Sequence, residues 1–250
     1  MNFDISHLLE NWEYQTGQVA VRKFKGKDGA EKIQLRVDLG LLQMNAEGRP
    51  DGKRPYGHPS LLEYYQARLA KHRRKHGNDD SFVLSDEDCA KLQQEALQYH
   101  HRYICLLQLE DYPAVVADTE RNLAVMDFVE EFAESDAASW LLQQIRPQLL
   151  MMRARAYASM ALEAGDFAAA ISILEEEIAQ IRSFFHEMER PDLAEQSGEV
   201  VSLENWLEDI RQNRPLSRRE QLEQALAEAL RTENYEKAAQ VRDALRKLEK

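Results

Sequence analysis

The sequence predicts a mainly α-helical protein: a small β-hairpin element at the N-terminus, an antiparallel helical domain, and a helical hairpin at the C-terminus. Three observations carry this. Two short apolar-alternating segments flank a Gly-rich turn near the start. A long stretch from Ser85 to about Arg211 carries helical periodicity with few breakers, and the whole chain of 250 residues holds only ten Gly and seven Pro, which disfavours a loop-rich all-β fold. The last 35 or so residues carry two apolar stripes separated by a short polar turn.

Gln18–Phe24 is partly alternating, and Ile33 to Leu39 alternates strictly, placing Ile33, Leu35, Val37 and Leu39 on one face. Between them Gly26-Lys27-Asp28-Gly29 is a turn sequence, with Gly where positive φ is tolerated. A lone hairpin does not hold in water, so its apolar face should pack on the helices that follow. Gly48 to Gly57, with two prolines and three glycines counting both ends, reads as a turn-rich loop. A helix starts near Pro59-Ser60, runs through Leu61, Leu62, Tyr65 and Leu69, and stops at Gly77. Ser85-Asp86-Glu87-Asp88 opens the next helix with acidic residues where the dipole favours them. Arg190-Pro191-Asp192 breaks the helical block, and a short helix near Leu203–Ile210 caps it. The expected organisation is an N-terminal hairpin element and loop over residues 1–57, a helical domain over 58–212, and a C-terminal hairpin over 215–250, with Pro215 at the boundary.

Two corners in the helical block look alike. Glu110-Asp111-Tyr112 is followed by Val115, Val116 and Thr119; Gly165-Asp166-Phe167 is followed by Ala170, Ile171 and Leu174. The second resembles a tetratricopeptide repeat, with small Ala158, Ala161 and Ala170 at the helix–helix contact. It departs from that pattern at Glu177, where the family prefers a small residue, and the corners lie 55 residues apart against a usual repeat period of about 34. The expectation is therefore tetratricopeptide-like hairpins with longer helices, not a regular array.

In the C-terminal segment, Ser217 and Glu220 have capping-box spacing. Leu222, Ala225, Leu226, Ala229 and Leu230 form one apolar stripe; Ala238, Val241, Leu245 and Leu248 form a second, beyond the turn Thr232-Glu233-Asn234. Small Ala238 and Ala239 would let two helix backbones approach closely. The run LEQALAEALRTENYEKAAQVRDALRKLE resembles the UVR motif of the bacterial excision-repair proteins UvrB and UvrC, through Leu222, Leu226, Ala229, Glu233, Tyr235, Glu236, Ala238, Ala239, Arg242, Asp243, Leu245 and Leu248. The same motif occurs in activators of protein-arginine kinases and in Clp-type chaperones. The resemblance implies a hairpin that docks on another protein, often on a second UVR hairpin, through Leu222, Leu226, Tyr235, Ala238, Ala239, Arg242, Leu245 and Leu248. It covers about the last seventh of the chain. Each helix, at about 14 residues, is no longer than what holds in isolation, so its stripe needs cover from the preceding domain or from a partner. The plain alternative is a coiled-coil tail packed on its own domain.

Charge and composition narrow the function. Residues 1–80 hold 14 Lys/Arg against 11 Asp/Glu, residues 81–214 hold 10 against 26, and residues 215–250 hold 8 against 7. The acidic middle repels phosphate backbones, so nucleic-acid binding by the largest segment is not expected. The dense basic cluster is the exception: Arg68, Lys71, Arg73, Arg74 and Lys75, with His72 and His76, form a candidate nucleic-acid contact, to which Arg49, Lys53 and Arg54 could add. Its plain reading is a solvated helix end complementing the dipole, and no aromatic residue is interleaved within it. Gly48-x-x-x-Gly52-Lys53-Arg54 has one residue too few for a phosphate-binding loop and leads into Pro55, not a helix. His101 and Cys105 would make only half a metal site, with Cys89 and His100 in the same region, and no metal or cofactor is expected. Asp127, Glu130, Glu131 and Glu134 line one helical face, for a cation or basic partner or simply for solvent. Trp12, Trp140 and Trp206 read as core. No nucleophile stands with a base, so an enzyme is not expected.

Two cysteines are too few for a disulfide framework and fit reduced thiols in the cytoplasm. The N-terminus lacks the basic start and apolar run of a secretory signal, and no segment reaches the ~18 apolar residues of a membrane span. The expected function is a cytoplasmic protein–protein adaptor that docks partners through the hairpin and the helical domain. Candidate partners are a UVR-containing protein, a Clp-type chaperone, or a second copy of the chain. The alternative is an accessory of nucleotide-excision DNA repair that meets UvrB or UvrC and touches DNA weakly through residues 68–76.

Overall fold

The computed structural model describes residues 4–215 and 218–248, with the backbone alone for residues 218–220 and 247–248. The expected Ser217 cap and the side chains of Glu220 and Leu248 lie outside the described residues. The chain is mainly helical, with a small antiparallel sheet near its start, and forms two compact units, Met1–Leu207 and Glu208–Lys250.

The first unit opens with a helical turn, α1 (Ser6–Leu9), and a three-stranded meander: β1 (Ala20–Lys25), β2 (Glu31–Val37) and β3 (Gly40–Asn45). The predicted hairpin is β1–β2, paired from Ala20↔Arg36 to Lys25↔Glu31. The sheet gains a third strand because β2 stops at Val37 and turns at once through Asp38 and Leu39. Leu39, expected on the buried face, is therefore at the turn and 94% exposed. Ile33 is fully buried and Met44, its partner on β3, nearly so. A polar ladder crosses all three strands: Arg22 Nε donates to Gln34 Oε1 at 2.7 Å, and Gln34 Nε2 donates to Gln43 Oε1 at 2.8 Å. That ladder lets Gln34 be buried at a position where an unpaired amide would cost about 1–3 kcal/mol.

The loop after β3 tightens into a 3-10 turn, Pro55–Gly57, and leads into α2 (Leu61–His76). Ser60 caps α2 by accepting from the Glu63 N–H, and Gly77, at φ +80°, closes it. After α2 the chain turns through residues 77–81, and Leu84 is then pinned to the end of α4 by two backbone hydrogen bonds, Leu84 N–H to Phe132 O (2.7 Å) and Glu134 N–H to Leu84 O (2.9 Å). Then follow α3 (Asp86–Gln108), α4 (Tyr112–Phe132), α5 (Asp136–Gln143), α6 (Arg146–Glu163), α7 (Phe167–Glu187), α8 (Pro191–Gln196) and α9 (Gly198–Asn213). The helices α3 and α4 form one hairpin and α6 and α7 another, with α4 against α6. The expected short helix at Leu203–Ile210 is the middle of the longer α9, whose Val200, Leu203 and Leu207 are buried in the first unit.

The corners share one geometry. After α3, Glu110 takes the left-handed conformation (φ +58°), the Asp111 N–H reaches Leu106 O and the Glu110 N–H reaches Leu107 O. The same pair of bonds recurs at Gly165-Asp166 after α6 and at Glu189-Arg190 after α7. This is the Schellman motif, which satisfies the last carbonyls of each helix. Between α6 and α7, Ala158 and Ala170 are fully buried, and Glu177 is buried against Arg153, whose Nε and Nη2 donate to its two oxygens at 2.9 and 3.1 Å. A carboxylate occupies this tight contact because a guanidinium on the facing helix pairs with it.

The second unit contains α10 (Arg218–Arg231) and α11 (Tyr235–Leu248), packed on each other as a hairpin. Its turn repeats the same corner: Glu233 is left-handed (φ +54°), the Asn234 N–H reaches Ala229 O at 2.8 Å, and the Glu233 N–H reaches Leu230 O at 3.1 Å. Asn234 Oδ1 then accepts from the Lys237 N–H and starts α11.

Candidate functional site

Two surfaces hold the residues that the sequence singles out, one in each unit. In the hairpin, the motif residues separate into two sets. Leu222, Ala225, Leu226 and Ala229 on α10 and Ala238, Val241, Ala244 and Leu245 on α11 are buried or half-buried, and their i, i+3, i+4, i+7 spacing makes them the seam. Tyr235, Ala239 and Arg242 lie at i, i+4 and i+7 on a neighbouring face of α11 and are exposed, Tyr235 at 68%; Leu230, expected on the apolar stripe of α10, lies in the last turn of that helix and is instead 52% exposed. The seam residues shape the hairpin, whereas the exposed row is what it offers to its surroundings. A family model described as the UvrB/uvrC motif matches residues 217–250. No curated protein matches the chain. No solved structure matches it either.

In the first unit, α2 forms one wall of a groove of about 530 Å³ lined by His58, Tyr64, Ala67, Arg68, Lys71, His72, Lys75, His76 and Phe82. Of the five candidate contact residues, Arg68, Lys71 and Lys75 line it. Arg73 and Arg74 do not, and Arg73 is engaged by Asp79, with its Nε 3.1 Å from the carboxylate. Arg68 is partly neutralised by Asp88 at 3.3 Å, while Lys71 and Lys75 have no acidic partner among the described residues. No aromatic residue is interleaved within the cluster, as expected, but the fold supplies aromatic neighbours from outside it. Tyr64 lies on the same helix just before it, stacked on Tyr56 at 4.2 Å, and Phe82 arrives from beyond the helix with its ring 5.9 Å from the Arg68 guanidinium. His72 stacks on His76 at 4.4 Å and lies 3.3 Å from the Ser81 hydroxyl. The missed signal is periodic: Tyr64, Arg68, His72 and His76 recur every fourth residue, as do Ala67, Lys71 and Lys75, so each set is one row on the helix.

A buried ionic network fixes this wall. The Glu95 carboxylate on α3, fully buried, accepts the Leu61 N–H at the start of α2 at 2.9 and 3.0 Å. Arg121 on α4 also donates to it, and Arg49 Nε stands 2.8 Å away. The Gly48–Gly57 loop is thus held in place from inside by Arg49.

Most of the remaining candidates find structural roles, while Glu131 and Glu134 lie exposed. Asp127 and Glu130 are engaged by Arg146. Cys89 and Cys105 are buried, unpaired thiols; burial pushes Cys105 up to about 12 and Cys89 up to about 11, away from nucleophilic use. Burial also lowers the His100 and His101 imidazoles, and His100 Nδ1 lies 2.6 Å from the Tyr103 hydroxyl. Among the described residues no three His, Cys, Asp or Glu side chains come together to hold a metal ion, and no helix is long and apolar enough to cross a membrane. Trp140, expected in the core, is 44% exposed. Trp12 and Trp206 are half-buried and carry the guanidinium groups of Arg22 (4.1 Å) and Arg155 (5.7 Å) over their rings.

Proposed function

We propose that the chain is a non-enzymatic adaptor that docks on a partner protein through its C-terminal hairpin, with a tetratricopeptide-like helical domain as a second holding surface. One observation carries this reading: within a segment matching the UvrB/uvrC motif, the seam between the two helices is filled, while Leu230, Tyr235, Ala239 and Arg242 remain at the surface. Tyr and Arg are the residues that most often anchor interfaces, because each combines a large apolar area with directed polar groups. The partner classes are a UVR-containing protein, a Clp-type chaperone, or a second copy through the same hairpin. Unpaired buried thiols fit a reducing compartment, which for a bacterial chain is the cytoplasm.

The test is affinity capture from a bacterial lysate with the full chain and with a chain ending at residue 214. Partners lost on truncation support docking by the hairpin; an identical set from both forms refutes it. A second reading, an accessory of nucleotide-excision repair that also touches DNA, is favoured by the basic groove on α2.

A further inference from the structure

The groove on α2 carries more than positive charge. Tyr56 sits in the left-handed region at φ +50° and ψ +25°, a conformation that a bulky side chain rarely adopts. The residue is nonetheless 63% exposed, and its ring is stacked on Tyr64. The result is an aromatic platform at one end of the groove, open to solvent on its outer side. From there the two four-residue rows run along the helix, Tyr64–Arg68–His72–His76 and Lys71–Lys75. At ~1.5 Å per residue, Arg68 to Lys75 spans about 10 Å, the reach of about three phosphates at ~3.4 Å per nucleotide along a strand. Lys71 and Lys75, with no acidic partner among the described residues, are free to meet them. The groove also lies in the segment whose Lys and Arg outnumber its acids.

We propose that this groove binds single-stranded nucleic acid. A base stacks on the Tyr56–Tyr64 platform, and the following phosphates run along Arg68, Lys71 and Lys75. The platform selects single strands because a stacking side chain needs a free base face, which a duplex buries between its own pairs. The proposal deepens the DNA-contacting second reading and is independent of hairpin docking.

The test uses the full chain and a fluorescent oligothymidylate, read by anisotropy between about 50 and 200 mM salt. The expected result is saturable binding that weakens with salt, with a log–log slope of about −2 for three phosphates at ~−0.7 each. Lys71→Ala with Lys75→Ala should lower affinity by about tenfold or more and bring the slope to about −1 or shallower. Tyr56→Ala should lower affinity by about tenfold and leave the slope unchanged, since stacking releases no counterions. Arg73→Ala with Arg74→Ala, outside the groove, should cost about threefold or less. The proposal is overturned if a duplex of equal length binds as tightly, if thymidine monophosphate at equal nucleotide concentration displaces the strand, if Lys71 and Lys75 are dispensable, or if no saturable binding occurs at the lower salt. Each of those outcomes leaves capture by the hairpin unaffected, so the two readings fail separately.

Discussion

The Arg102 guanidinium on α3 grips the Asp118 carboxylate on α4 with two parallel hydrogen bonds, Nε to Oδ2 at 2.8 Å and Nη2 to Oδ1 at 2.6 Å. Its remaining nitrogen donates to the carbonyls of Asn45 (3.1 Å) and Gly48 (2.6 Å), and the guanidinium carbon lies 4.9 Å from the centre of the Tyr99 ring. One side chain thereby joins two helices to the end of the sheet and to the loop that leads to α2. Both partners are almost fully buried.

Breaking this pair should be costly. Arg102→Met leaves a buried carboxylate uncompensated, a loss of roughly 3–5 kcal/mol in urea unfolding. Burial already raises the Asp118 carboxyl, and Arg102 opposes that rise. Without Arg102 it goes higher still. A carboxyl raised in the folded state binds its proton more readily there than in the unfolded chain, so stability is lost as pH rises through its folded value. The variant's deficit should therefore be larger at pH 8 than at pH 5. A deficit independent of pH, or below about 1 kcal/mol, would contradict the pairing.

The left-handed corner residues give predictions of opposite sign. Gly165 adopts φ +74° without a side chain, so Gly165→Ala should destabilise by about 1 kcal/mol. Glu110 holds the equivalent position at φ +58°, and Glu110→Gly should be neutral to stabilising, by up to about 1 kcal/mol. Thermal unfolding of both variants checks the pair; a stabilising Gly165→Ala would show that this corner relaxes out of the left-handed region.

Acid sensitivity should come in part from the α3 histidines. Burial, and for His100 also the neighbouring His101, holds both imidazoles below the ordinary value of 6.5. As pH falls below that value the unfolded chain takes up protons first, so stability is lost from about 6.5 downward through the lower folded values. The urea midpoint should fall between about pH 7.5 and 5.5, and less steeply in His100→Asn with His101→Asn. An equal fall in both proteins would assign the acid response to other groups.

How legible all this is in the sequence depends on whether a signal is local. Ser60, Ser85 and Gly77 mark the ends of α2 and α3 because capping is decided within four residues. The hairpin seam is legible for the same reason. The third strand is not: Leu41, Leu42 and Met44 lack strict alternation, and strict alternation through Leu39 carried β2 two residues too far. Glu95 with Arg49 is out of reach too, because residues 46 apart in sequence meet only once the loop folds back. The groove lies between these extremes. Its cations are plain in the sequence and its row spacing could have been read, but Tyr56 and Phe82 come from flanking segments that only the tertiary fold brings in. The corner Glu233-Asn234-Tyr235 was equally available as a third copy of Glu110-Asp111-Tyr112 and Gly165-Asp166-Phe167, since all three place a left-handed residue before Asp or Asn and an aromatic.

The central claim, that the hairpin docks through its exposed row, is tested most directly at Tyr235. The affinity of the full chain for its captured partner should be measured with and without Tyr235→Ala, a change outside the seam that leaves helicity by circular dichroism intact. The account predicts a loss of tenfold or more, corresponding to about 1.4 kcal/mol or above for an interface anchor. An unchanged affinity in a variant that keeps its helicity would contradict it.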